Sequence, residues 1–373
     1  MALTLPSDSR QTNSPAPERA GAPSTSTARG PLSDRILHVI LREPTGDDAL
    51  DGTTDLAARA TVAVEASTDI ARDDDIQLAL FLLYGLHYGS LADAHDGWEW
   101  HPHLIAARRV LEAAFEAQLR RDVPMPELPE PTAAAVAEAL FTLTSAESDG
   151  PSLSRFVAAK ATREQLEEFL IHRSIYTLKE ADPHSWAIPR LTGRPKAALV
   201  EIQADEYGGG RPDRMHAAIF AGTMRGAGLD DTYGAYLDFV PAVTLASLNQ
   251  MSMFGLNRRL RGAIAGHLAA FEMTSSIPNG LYARGFRRNG FDDDVCYYFD
   301  EHVEADAVHE QIAGRDLAGA LAEDDPTLLA DIVFGAAACL TVDGWASDVI
   351  VEAWMAGESA LRMPRATTAG IGA

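Results

Sequence analysis

Residues 299–310 read Phe-Asp-Glu-His-Val-Glu-Ala-Asp-Ala-Val-His-Glu. His302, Asp306 and His309 stand at i, i+4 and i+7. At about 100° per residue they fall within about a 60° sector of one helix face. Two imidazoles and a carboxylate converging on one face suit a divalent first-row metal such as iron. The plainer reading is a solvated helix side with incidental histidines. A second stretch weighs against it. Residues 200–216 read Val-Glu-Ile-Gln-Ala-Asp-Glu-Tyr-Gly-Gly-Gly-Arg-Pro-Asp-Arg-Met-His, in which Glu206 and His216 are ten positions apart. A regular helix would separate them by about 15 Å along its axis. Three glycines and Pro212 distort the helix between them. The two side chains can then each serve one of two ions about 4 Å apart. Glu180 is a third carboxylate, on the helix that starts near Gln165 or in the turn after it. Its neighbour Asp182 is a rival for the same role.

The elements that must position these residues are helical. Apolar residues recur at helical spacing in 76–84 and in 104–121. Pro124, Pro126, Pro129 and Pro131 then break the chain. Further helices are expected over 132–142, 152–177, 199–225 (interrupted at the glycines), 233–251, 258–275, 295–310, 326–340 and 349–361. No sustained period-2 alternation and no hairpin signal is present, so the expected fold class is all-α. Residues 1–35, rich in Ser, Thr, Pro, Gly and Ala, read as a disordered tail. Residues 36–125 read as an N-terminal helical segment, and 126–373 as the domain that holds the candidate metal ligands.

Composition narrows the function. The chain has 373 residues and a formal net charge of -23. That charge disfavours non-specific nucleic-acid binding and a polybasic membrane anchor. The apolar stretches near 78–86 and 332–342 are too short to span a bilayer. The two cysteines, Cys296 and Cys339, rule out a disulfide framework and a Cys-rich metal site. A reducing, cytoplasmic location is the default expectation. Serine-hydrolase, P-loop, zincin and thioredoxin motifs are absent. His101-Pro-His103 reads as a surface turn before it reads as a metal pair. Trp98 and Trp100 read as helix packing. Gly226-Ala-Gly228 reads as a helix C-cap. Arg258, Arg259 and Arg261 read as a solvated face. The acidic runs 73–75 and 292–294 read as helix starts.

Glu180, Glu206-x9-His216 and His302-x3-Asp306-x2-His309 together resemble the ligand order of the haem-oxygenase-like diiron oxidases, which are iron-containing redox enzymes. The resemblance covers about residues 140–365. It implies a seven-helix core, preceded here by the additional N-terminal helical segment. It also implies two Fe(II)/Fe(III) ions held by Glu180, Glu206, His216, His302, Asp306 and His309, with O2 as co-substrate. Glu272, Glu301, Glu304 and Glu310 are candidates for orienting the imidazoles, although each is more simply an ordinary surface or core group, Glu272 least so. Ferritin-like proteins supply a Glu-x-x-His pair twice, and no such pair is present. Haem-binding relatives need one proximal His and no carboxylate cluster.

The resembled family divides by reaction. Some members oxidise a primary amine to a hydroxylamine, nitroso or nitro group. Others cleave a C–C bond of an amino acid or fatty acid. The long N-terminal segment favours the N-oxygenating branch, acting on a small amine, amino acid or amino-heterocycle in specialised metabolism. It also favours a homodimer. No flavin or nicotinamide motif is seen, which implies an external electron donor. The competing readings are a non-enzymatic helical protein and a single-metal hydrolase. The first predicts neither stoichiometric iron nor O2 consumption; the second favours zinc and ignores O2.

Overall fold

The computed structural model describes residues 26–89, 91, 93–145 and 152–364, with only the backbone of 304–308. The expected tail up to residue 25 lies outside the described residues. The remainder of it is built into the fold: the first helix, α1 (Pro31–Ile40), starts inside the stretch read as tail and buries Leu32 and Ile36. Just before it, Arg29 donates to the carbonyls of Leu237 and Val240 at 2.6 and 2.9 Å, strapping the segment to the loop beside the core. Every regular element among the described residues is helical, as the sequence predicts.

Leu56–Ala66 (α2), Asp74–Gly85 (α3) and Pro102–Asp122 (α4) complete the N-terminal layer. The acidic run at 73–75 serves more than one helix start. Asp73 accepts from its own helix at Ile76 N, while Asp75 accepts from Leu32 N and Ser33 N and so caps α1. After the prolines come Ala133–Ser145 (α5), Leu153–Ala159 (α6) and Arg163–Thr177 (α7). The helical stretch expected over 152–177 is two helices, because Thr162 and Gln165 form a capping box that starts α7 anew. Gly193–Glu206 (α8) and His216–Gly226 (α9) follow, then Ala242–Leu256 (α10), Arg261–Met273 (α11) and Ser276–Arg288 (α12). Asp293–Gln311 (α13) runs directly into a π-helical stretch, Ile312–Gly319. Leu329–Met355 (α14) is the longest helix.

The core lies where α10, α11 and α14 meet. α10 is apolar on all sides and almost entirely buried, as a central helix must be. One of its polar groups reaches the N-terminal layer: Asn249 donates to both the carbonyl and the side chain of Gln77 on α3, each at 2.9 Å. That pairing ties the N-terminal layer to the core. α11 and α14 touch backbone to backbone. A Cβ at Gly266 would sit 1.8 Å from the Ile332 carbonyl oxygen, so only glycine permits this crossing. The stretch Pro326–Met355 corrects the expectation about apolar length: by length and composition it could cross a membrane. Yet 61% of its apolar window is buried inside the protein, where it packs on α10 and α11.

Candidate metal centre

Six buried side chains converge from the turn after α7 and from α8, α9, α11 and α13, the last of which supplies two. Glu206 is the last residue of α8 and His216 the first of α9. The glycines and Pro212 end one helix and begin another, rather than bending a continuous one. Gly208 adopts φ +68, and a Cβ there would lie 2.5 Å from the Arg214 carbonyl carbon. The chain therefore doubles back tightly, and Glu206 Oε2 meets His216 Nδ1 at 3.0 Å.

Glu180 comes from the turn after α7. It precedes Ala181, which holds φ 76, a left-handed conformation that costs an alanine about 1–2 kcal/mol. The rival Asp182 turns elsewhere and accepts the Tyr207 hydroxyl at 2.8 Å. From α13, His302 faces Glu180, with Nε2 3.8 Å from Oε1. One turn back, Tyr298 places its hydroxyl 2.8 Å from both Glu180 oxygens. The Tyr298 carbonyl accepts His302 Nδ1–H at 2.7 Å. That bond puts the ring proton on Nδ1 and leaves the Nε2 lone pair to the centre.

Glu180, Glu206, His216 and His302 each offer a ligand atom within 4.8 Å of the others. A second group joins on. Glu206, Glu272 and His309 meet by the same measure, and all are buried. Glu206 belongs to both groups. His309 lies with Nδ1 3.5 Å from Glu272 Oε2 and Nε2 3.1 Å from Asp205 Oδ2. The Asp306 side chain lies outside the described residues.

Three buried carboxyls this close make a strongly acidic pocket. Burial, with the neighbouring charge of Glu206, pushes the Glu180 carboxyl up to about 8. Burial likewise raises Glu272. At Glu206 burial is outweighed by the hydrogen bond and charge of His216 and by the charges of His302 and His309, which hold it low. Burial and His216 push His302 down to about 4. At His309 burial is overcome by Glu272 and Asp205, and its value rises to about 9. Such a pocket of mixed carboxylate and imidazole donors, with an imidazole tautomer set for coordination, fits hard-to-intermediate divalent cations of the iron type.

Glu272 enters the first rank here. Its signal in the sequence is a lone acid in the apolar run 267–274 of α11. Tyr298 and Asp205 carried no such signal, because their roles depend on which helices face them. Glu301 and Glu310 are only partly buried and belong to neither group; the Glu304 side chain is not among those described. His101 and His103, at the start of α4, each bond Asp48, at 3.1 Å. Trp98 is buried and Trp100 exposed.

The description "iron-containing redox enzyme" attaches to a family model that matches residues 167–344. No curated protein matches the chain. The matched span runs from α7 into α14 and contains every side chain of both groups.

Proposed function

We propose, from the premise that residues 167–344 belong to the iron-containing redox enzymes, an oxidoreductase family, that this all-α, haem-oxygenase-like chain is an O2-activating non-haem diiron oxygenase. Its most specific form is N-oxygenation of the amino group of a small amine, amino acid or amino-heterocycle. The observation that carries the two-iron reading is the sharing of Glu206 between two buried donor groups. A carboxylate has two oxygens and can serve one ion with each. Glu180, His216 and His302 would complete one site, and Glu272 and His309 the other. Asp306 is kept as a further ligand on its helical spacing from His302 and His309 alone.

Bound there, two Fe(II) ions would supply the electrons that reduce O2. The chain's own residues do the rest. Tyr298 fixes the Glu180 carboxylate. The Tyr298 carbonyl fixes the His302 ring. Phe220, packed on Tyr298 at 5.0 Å between centroids, excludes water from one side. The open side is a cavity of about 160 Å³ lined by Glu180 and His302, where a substrate would meet the metals. The reading includes an external electron donor and a cytoplasmic setting in specialised metabolism. It also includes a homodimer through the N-terminal layer, supported by the exposed apolar side chains of Leu50, Val62 and Trp100.

The test is anaerobic Fe(II) titration with Mössbauer spectroscopy, followed by O2 uptake with a panel of amines and mass analysis of products. Two equivalents of iron, O2 consumption and a product that has gained oxygen at nitrogen are expected. Zinc binding with no response to O2 would replace the reading with a single-metal hydrolase. Release of a one-carbon fragment would replace N-oxygenation with C–C cleavage.

A further inference from the structure

The cavity beside Glu180 and His302 shares part of its wall with a second one of about 120 Å³. Arg173, Phe271, Tyr282, Asp343 and Ser347 line both, whereas no residue of the metal centre lines the second. Two of these shared residues carry opposite charge. Arg173 comes from α7, with its guanidinium over the rings of Phe169 and Tyr282 at 5.3 and 5.4 Å. Its one hydrogen bond among the described residues is a long one, 3.5 Å to the Tyr282 hydroxyl. Asp343 comes from α14 and accepts from Ser247 Oγ at 2.5 Å. Among the described residues neither forms an ion pair, with the other or with any third group.

A guanidinium and a carboxylate on one enclosed wall are costly unless something neutralises them. Elsewhere in the interior a buried arginine has a carboxylate at hand: Arg108 lies 3.4 Å from Glu112. Arg173 and Asp343 attract each other across the wall but stop short of an ion pair: aromatic rings orient the guanidinium, and the Ser247 hydroxyl and the Cys339 thiol orient the carboxylate. A ligand bearing both charges would satisfy both at once. Arginine's planar fork suits a carboxylate, and an aspartate suits an ammonium.

We propose that Arg173 and Asp343 form a zwitterion site for a free α-amino acid, Arg173 taking its carboxylate and Asp343 its ammonium group. The site lies on the wall that the two cavities share, so the remainder of the ligand extends into the chamber lined by Glu180 and His302. As a substrate assignment this rests on the oxygenase reading above; as a binding site it stands on the cavities alone. A fatty acid would leave Asp343 unmatched, and a simple amine would leave Arg173 unmatched.

The experiment is calorimetric titration of the full-length protein with the proteinogenic L-amino acids, each beside its carboxamide and its N-acetyl derivative, and with decanoate and hexylamine. At least one free amino acid is expected to bind at least about tenfold more tightly than either derivative, the range of a charge-assisted hydrogen bond. Arg173→Gln should abolish the preference over the carboxamide and keep that over the N-acetyl form. Asp343→Asn should do the reverse. Arg173→Lys, which keeps the charge, should keep part of the first preference and serves if Arg173→Gln does not fold. The proposal is overturned if no amino acid binds, if the preferences survive both substitutions, or if decanoate or hexylamine binds more tightly. Fe(II) titration of the same samples separates the two readings. Amino-acid binding without iron binding would sink the oxygenase and keep this site; iron binding without amino-acid preference would do the opposite.

Discussion

Glu206 Oε2 and His216 Nδ1 lie 3.0 Å apart although ten positions separate the residues in sequence. They meet because α8 stops at Glu206 and the chain folds back over Gly208 before α9 begins at His216. The reversal is what converts a helix end and a helix start into neighbouring donors.

The tightness of that reversal makes Gly208 the weak point of the centre. Gly208→Ala would place a Cβ 2.5 Å from the Arg214 backbone at a positive φ. A loss of about 2 kcal/mol in stability is expected. Iron affinity should fall further than stability alone requires, since Glu206 and His216 separate. Thermal unfolding and Fe(II) titration of one variant check both.

Sharing of Glu206 makes the iron count a diagnostic. Glu206→Gln should reduce binding at both sites. Glu272→Gln or His309→Ala should leave one equivalent, and so should His302→Ala. Without metal the two Gln variants should keep most of the fold, because each removes a carboxylate charge from an already crowded acidic pocket. Metal analysis after gel filtration reads the counts. An unchanged stoichiometry in His309→Ala would remove the second site.

Tyr298 touches no proposed metal position, yet its hydroxyl reaches both oxygens of Glu180 at 2.8 Å. Tyr298→Phe should weaken iron binding by about tenfold, the usual effect of losing a partner that orients a ligand. The fold should persist, because the ring still packs on Phe220.

His172 sets an acid limit on stability. Burial lowers its value from 6.5 to about 4. The unfolded chain therefore takes up a proton more readily than the folded one, and stability rises with pH in this window. The contribution is full above about pH 6.5 and is lost as pH falls toward about 4. The full loss is about 3 kcal/mol. Unfolding midpoints between pH 7 and 4 should drop more steeply for the parent protein than for His172→Asn, which keeps a polar partner for Thr244, 3.0 Å from the imidazole.

Ala181 invites a gain. Its φ of 76 is strained for alanine and ordinary for glycine. Ala181→Gly should stabilise the protein by about 1 kcal/mol. Because Glu180 precedes it, the same change should loosen the carboxylate and reduce iron affinity. A rise in both would show that the strain does not hold Glu180 in place.

Local rules carry far in this chain. Helical periodicity alone is enough for an all-α fold, since 3.6-residue spacing is written into each segment and needs no partner to be read. The His302, Asp306 and His309 positions share a face for the same reason, and the glycines after Glu206 mark a break. What no segment contains is which faces meet. Glu272 joins the centre because the crossing of α11 and α14 at Gly266 sets the placement of α11, and Tyr298 because α13 brings it beside the turn after α7. Arg173 and Asp343 lie 170 positions apart, in unremarkable helical text, and become one cavity wall only when α7 and α14 pack. Spacing determines the direction a side chain takes from its own helix; the tertiary packing decides what it faces, because burial against other helices, with its desolvation and close contacts, is a property of the assembled core.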